Sequence, residues 1–334
     1  MTISRRSLMS NAASIGVASG IADLIALLHE AHAAERGPPV PPRPIQAISA
    51  HVSMIKAPDG FPTPENQGLM ANIIFVTGQR GIIVIDSGAS VQIAEMAIRQ
   101  LKAATSKPVI GIINTHYHGD HWLGNQAFVN EWGNDLPIYA HAGSREAIAG
   151  AVGAFWRDSM ERWTNDATAG TKIVAPRQDI EHGFTLSLGD VTLQAHHYGK
   201  AHTPNDICIE VVEDGVMCVG DVMMDRRIAN MEDGSYPGTF DTIDKLVANS
   251  KTKIWAPGHG DAGPHVINWQ RELFQGIWES CVKAVEDGVP LDGALAVVLK
   301  DPRVSSRVAE TKGWDRNIGK YVSIGYLEAE QAQF

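Results

Sequence analysis

The chain has 334 residues and a formal net charge of −10, from 38 acidic and 28 basic side chains. An acidic chain without basic runs lacks the electrostatic footprint of a phosphate-backbone binder, which argues against nucleic acid as partner or substrate. Three cysteines, Cys208, Cys218 and Cys281, are few and odd in number. They suggest no disulfide framework, and buried free thiols are the expectation.

Residues 1–34 read as a twin-arginine targeting segment. Ser4-Arg5-Arg6-Ser7-Leu8 is followed by a weakly apolar stretch from Ala12 to Leu28 and by Ala31-His32-Ala33 as a cleavage site. Asp23 interrupts the apolar run, so no stable membrane anchor is expected. Such a segment implies a bacterial protein exported already folded, and hence a periplasmic or secreted location. Residues 35–45 are a proline-rich spacer, Gly37-Pro38-Pro39-Val40-Pro41-Pro42-Arg43-Pro44 lying within them. The next stretch, residues 46–289, is long enough for one large domain, and residues 290–334 read as a helical extension ending in a helix from Asn317 to Gln333.

Strand-like runs within the domain are Ala47 to Met54, Ile73 to Val76, Ile82 to Ile85 and Val109 to Ile113. A second group follows at Phe184 to Leu188, Val191 to His196, Ile207 to Val212, Val216 to Val219 and Lys253 to Ala256. Helices are predicted over Val91 to Thr105, Trp122 to Val129, Ser144 to Trp163, Phe240 to Ser250 and Val266 to Gly288. An Asp214-Gly215 hairpin turn of two residues would set Cys218 opposite Val211.

The chemistry is concentrated in Thr115-His116-Tyr117-His118-Gly119-Asp120-His121. Three imidazoles and a carboxylate crowded together are costly unless a cation compensates, and both donor types suit zinc. The apolar run Val109 to Ile113 reads as a buried strand ending just before them. In still-extended chain His116 and His118 share a face, while Asp120 and His121 must diverge at a bend that Gly119 permits. Two metal positions are the natural outcome. Three further ligands sit at strand or loop ends downstream: His202 in Gly199-Lys200-Ala201-His202-Thr203, Asp221 after Val219-Gly220, and His259 in Ala256-Pro257-Gly258-His259-Gly260.

The set His116, His118, Asp120, His121, His202, Asp221 and His259 resembles the H-x-H-x-D-H signature and downstream ligands of the metallo-β-lactamase superfamily, complete and in order. Asn72 to Val76, the Gly78-Gln79-Arg80-Gly81 turn and Ile82 to Gly88 fit the segment that precedes the signature. The resemblance implies an α/β fold, a four-layer αββα sandwich with metals where the two sheet edges meet. It assigns His116, His118 and His202 to one zinc and Asp120, His121 and His259 to another, with Asp221 bridging. Iron or manganese are possible in place of zinc. It further implies a shared hydroxide as nucleophile, with Asp120 as the catalytic residue that orients it or passes its proton on. The expected activity is hydrolysis of an ester, thioester, lactone, amide or phosphoester bond in a small molecule.

An aspartate at position 221 resembles the glyoxalase II, lactonase and phosphodiesterase-like branches more than the true β-lactamases. The alternatives are β-lactam hydrolysis, a mononuclear iron dioxygenase acting on a persulfide, and a non-catalytic accessory protein. The histidine-rich cluster followed by Leu123-Gly124-Asn125, together with an export signal, looks most like periplasmic hydrolases of quinoprotein or sulfur-oxidation systems, so periplasmic accessory partners are possible. Trp122, Trp156, Trp163, Tyr198, Lys200, Arg226, Arg227 and Tyr236 lie near ligands in sequence and are candidates for the pocket wall. His141, His196 and His197 are not expected to be ligands, because the seven positions are already filled.

Overall fold

The structure is a computed structural model that describes residues 36–58 and 60–333; the twin-arginine segment expected over residues 1–34 lies outside the described residues. Two sheets face each other, flanked by helices, which makes the four-layer αββα arrangement. The first sheet has the order β1-β2-β3-β4-β5-β6-β7, from β1 (Ile45–Ala47), β2 (Val52–Ile55), β3 (Ile73–Gly78), β4 (Gly81–Ile85), β5 (Val109–Ile113), β6 (Ile138–Ala140) and β7 (Gln178–Asp179). The second has the order β12-β11-β10-β9-β8, from β8 (Thr185–Ser187), β9 (Thr192–His196), β10 (Cys208–Val211), β11 (Val216–Gly220) and β12 (Ile254–Pro257).

Alternation along the strands explains the layering. In β3 and β4, Ile73, Phe75, Ile82 and Val84 face the outer helices α1 (Val91–Ala104) and α3 (Asn125–Trp132). Ile74, Val76, Ile83 and Ile85 face inward, against Leu193, Ile209, Val216 and Cys218 of the second sheet. Strands buried on both faces read as continuous apolar runs, which is why these were legible. The outer face of the second sheet, with Met217, Val219 and Trp255, packs on Ile243 and Leu246 of α6 (Tyr236–Asn249).

The last layer extends past the sheets. Helix α7 (Val266–Glu286) packs against α8 (Leu291–Val298), α9 (Pro302–Ser305) and α10 (Trp314–Gln331) in one apolar cluster, which also takes in Ile228, Met231 and Tyr236. The one-turn α2 (Gly119–Trp122), α4 (Ala142–Ala149) and α5 (Ala151–Trp163) join the cluster on the outer side of the first sheet through Trp122, Ile148, Trp156 and Met160. Among the described residues no helix is long and apolar enough to cross a membrane.

Several expectations need correction. The run Ala47 to Met54 is two strands, β1 and β2, reversed at residues 48–51, where Ile48 and Ser49 amides both donate to Val52 O. The single helix expected over Ser144 to Trp163 is broken at Gly150 into α4 and α5. The β10–β11 connection spans four residues rather than two, so Val211 pairs with Val216 and Cys218 lies opposite Ile209. Asp214 lies in that four-residue turn, with its carboxylate bound by Ser49 and His51 of the β1–β2 turn. All three cysteines are free and buried.

Candidate metal centre

Four loop ends converge where the sheets part. Strand β5 delivers residues 114–118, and the one-turn helix α2 then turns Asp120 and His121 to the other side. Its first residue, Gly119, lies so close to Trp156 that an added Cβ would approach the Trp156 Cβ to 2.7 Å. The loop after β9 brings His202 in, and is clipped by Thr203, whose amide and hydroxyl both donate to Asp206 at 2.7 Å. Ile207 N donates to Thr115 O at 2.9 Å, tying this loop to the first. Asp221 follows β11 and His259 follows β12, and these two ends are joined by Gly258 N to Gly220 O at 2.7 Å. A Cβ on Gly258 would fall 2.3 Å from Asp221 Oδ1, so the close approach requires glycine.

All seven predicted donors are buried and fall into two groups. His116, His118, His202 and Asp221 form one; Asp120, His121 and His259 form the other. Asp221 lies between them: Oδ1 is 3.4 Å from His121 Nε2, and Oδ2 is 3.3 Å from His259 Nε2 and 3.6 Å from His202 Nε2. Asp120 Oδ2 is 3.3 Å from His259 Nε2 and 3.5 Å from His121 Nε2. His202 Nε2 and His118 Nδ1 face each other at 3.0 Å.

The arrangement fits divalent cations on two grounds. First, three imidazoles are anchored through Nδ1, which fixes the tautomer that presents a bare Nε2. His116 Nδ1 meets Thr115 Oγ1 at 3.0 Å, His121 Nδ1 meets Asp86 Oδ2 at 2.7 Å, and His259 Nδ1 donates to Met70 O at 2.7 Å. Second, the Nε2 atoms of those same histidines, and Asp221 Oδ1, are buried without a hydrogen-bond partner. Buried polar groups are normally satisfied, and a cluster of orphaned lone pairs aimed at common points calls for cations. Five imidazoles and two carboxylates are donors that zinc accepts, and the two groups are compatible with a dinuclear site.

Electrostatics separate the groups. Burial drives the His116 imidazole well below its ordinary value, with His121 and His118 adding to the effect, and lowers His202 to about 3. Burial also opposes a charge on His121, but Asp120, Asp221 and Asp86 reverse it and hold that imidazole well above its ordinary value. Burial would raise Asp120 and Asp221; neighbouring His121 and His259 instead hold both carboxyls well below the usual range.

A cleft of about 560 Å³ opens beside His118, lined by Tyr117, Val152, Phe155, Trp156, Asn205 and Asp233 among others. Of the proposed wall residues only Trp156 lines it. Trp122 is fully buried and donates to Tyr117 O; Tyr236 is fully buried against Phe274. Trp163 packs on Phe61, Tyr198 on His182, Arg226 is paired with Asp225 and Glu310 at the surface, and Lys200 is exposed. Arg227 is buried. His141, His196 and His197 stand outside both donor groups, held by Gly143 N, Glu210 and Asp206 O respectively.

Sequence reasoning missed Asp86 as a functional residue. Its carboxylate accepts from Thr115 N and Oγ1, each at 2.8 Å, as well as meeting His121, and so braces both arms of the signature. The available signal was a carboxylate closing the apolar run of β4, the same sign by which Asp221 was found.

A family model described as the metallo-beta-lactamase superfamily matches residues 66–298. The chain belongs to that superfamily. Among its superfamily relatives, a linear primary-alkylsulfatase from Pseudomonas sp. (strain ATCC 19151) is 34% identical over 296 residues, covering 75% of this chain and 55% of the relative. A hydroxyacylglutathione hydrolase from Maricaulis maris is 28% identical over 103 residues, covering 28% of this chain and 40% of the relative. The solved structure of the inverting sec-alkylsulfatase Pisa1 from Pseudomonas sp. superposes with a TM-score of 0.67 at 16% identity, covering 86% of this chain and 50% of that one. A metallo-beta-lactamase from Pontibacter korlensis superposes at 0.55 with 18% identity, covering 70% of this chain and 99% of that one. At such identities the superpositions show the fold. The chain spans about half the length of the alkylsulfatases it matches.

Proposed function

We propose that this chain is a dinuclear metal hydrolase, zinc being the favoured ion, that cleaves an ester-type bond of a small molecule. One observation carries the reading: seven buried donors in two groups, with Asp221 between them and Nε2 atoms orphaned on both sides. Divalent cations bound there supply acidified water, with a pKa brought to about 7, and polarise the oxygen of the scissile group.

The protein's own part is positioning and proton handling. Asp86, Thr115 and Met70 O lock three imidazoles by their far nitrogens, so no reorganisation is needed on binding. Asp120, kept ionised by its histidines, is placed to accept a proton from attacking water and return it to the leaving group. The cleft beside His118 receives the substrate, with Phe155 and Trp156 covering its apolar part.

Within the ester class, sulfate esters are the narrower reading, supported by the 34% identical alkylsulfatase. Thioesters, lactones, amides and phosphoesters share the same chemistry. A mononuclear iron oxygenase would not need Asp120, His121 and His259 buried and braced as a complete second group. Export through the Arg5-Arg6 signal to the periplasm, with an accessory partner there, is part of the same reading.

Elemental analysis of the purified protein, paired with a hydrolysis panel, tests it. The panel holds 4-nitrophenyl sulfate, 4-nitrophenyl acetate, a thioester, a lactone, bis(4-nitrophenyl) phosphate and nitrocefin. About two zincs per chain and turnover that a chelator abolishes and zinc restores are expected. One iron with oxygen uptake and no hydrolysis would reject the reading.

A further inference from the structure

Arg227 is a buried charge with no carboxylate paired to it among the described residues. It is 4% exposed, and its Nε and Nη1 have no hydrogen-bond partner. Only Nη2 is engaged, donating to Gly60 O at 3.0 Å, and among the described residues no carboxylate pairs with the guanidinium. Arginines are rarely fully buried unless paired, and an uncompensated buried charge is strongly unfavourable. Tyr321, fully buried on α10, is similar in part: the Ala229 amide reaches its hydroxyl oxygen, but among the described residues no acceptor takes the hydroxyl proton.

The chain path sets both beside the metal centre. After Asp221 the backbone runs past His259, with Asp225 N donating to His259 O at 3.0 Å, and reaches Arg227 two residues later. Gly60, which holds Nη2, belongs to the loop that continues to Met70, whose carbonyl anchors His259. On the far side, Asn317 of α10 donates to Ile228 O at 3.0 Å, and Tyr321 lies one turn further along that helix. The Arg227 charge is felt at both His259 and Tyr321, and Tyr321 is within electrostatic reach of Asp221.

We propose that Arg227 and Tyr321 form an oxyanion-binding subsite beside the second donor group, which holds a sulfate or phosphate group of the substrate. An arginine fork presents several donors in one plane and suits tetrahedral oxyanions, and a phenol adds one directed donor. The missing counter-charge of Arg227 is then the substrate itself. The inference rests on the hydrolase reading and narrows it to sulfate or phosphate esters over neutral ones.

The test is anion binding to the metal-loaded protein, read as the rise in thermal midpoint on titration with sodium sulfate or sodium phosphate, against chloride at equal ionic strength. Both oxyanions should stabilise the wild type, and the tighter one names the ester class. Arg227→Met should weaken binding by about 10- to 100-fold and Tyr321→Phe by about tenfold or less, with metal content unchanged. Arg227→Lys, which keeps the charge and loses the fork, should fall between and carries the test if Arg227→Met does not fold. Unchanged affinity in Arg227→Met, or an equal loss of thermal midpoint in chloride and sulfate, would overturn the subsite and leave Arg227 a support for Gly60. Failure of the hydrolase reading looks different: both anions would still bind through Arg227, yet no ester would turn over.

Discussion

Polar groups join the two sheets at both ends of β11, and the two junctions are built on opposite principles. At its start, Asp214 accepts from His51 N and Nδ1 and from Ser49 Oγ, while Asp190 nearby accepts from Gln79 N. At its end, Asp221 enters a cluster in which Nε2 of His116, His121 and His259 and Oδ1 of Asp221 itself are left without partners. The first junction satisfies itself and has no need of a ligand. The second is braced from behind by Asp86, Thr115 and Met70 O, but is incomplete in front. Incomplete satisfaction in a rigid frame is therefore what separates a functional polar cluster from a structural one here.

The sharpest way to break this comparison is to remove a front group. Asp120→Asn keeps the shape and loses the base, so hydrolysis should fall by about 10²–10⁴-fold. The thermal midpoint of the metal-free protein should fall modestly, because the Asp120 charge faces His121 and His259 and their mutual attraction is lost. A stability loss with activity intact would mean that the cluster is structural after all. Cutting the brace comes next in size. Asp86→Asn should weaken metal binding by about 10- to 100-fold, measured by competition with a chelator, since the brace sets the His121 tautomer. Gly258→Ala probes the frame itself: a Cβ 2.3 Å from Asp221 Oδ1 forces that carboxylate to move. It should cost about 1–3 kcal/mol in denaturant unfolding together with metal affinity, and loss of one without the other would separate frame from site.

The two junctions were also unequally legible in the sequence. The seven front residues stood out because crowded imidazoles and carboxylates at that spacing suit cation binding rather than packing. The central strands were plain for a different reason: β3, β4 and β5 are apolar on both faces. Strand β6 and the edge strand β7, of three and two residues, are too short to carry a readable alternation, so they left no pattern. Asp86 acts through contacts with residues distant in sequence, and Tyr321 comes near the centre only through the fold; Arg227 was a pocket-wall candidate from its place after Asp221, but its burial was not legible. The His51–Asp214 tie was invisible because its partners are distant in sequence, and the turn read as two residues at Asp214-Gly215 spans four.

That tie gives the smallest effect, and its pH dependence has a definite sign. The Asp214 hydrogen bond raises His51 above its ordinary 6.5, despite some burial. Its contribution is fully present below 6.5 and is lost as pH rises through the raised value. Asp214 is lowered from 3.8: burial alone would raise it, but the His51 and Ser49 hydrogen bonds prevail. Its contribution is present above 3.8 and is lost as pH falls through the lowered value. The tie should therefore be strongest from about pH 4 to 6.5. His51→Gln should lower the thermal midpoint by about 1–2 °C at pH 5.5 and by less at pH 9, the pair being partly solvent-screened. Hydrolysis measured at a fixed pH should be unchanged, because the whole of β11 separates His51 from Asp221. A variant that lost activity while keeping its stability would show that the self-satisfied junction is coupled to the incomplete one.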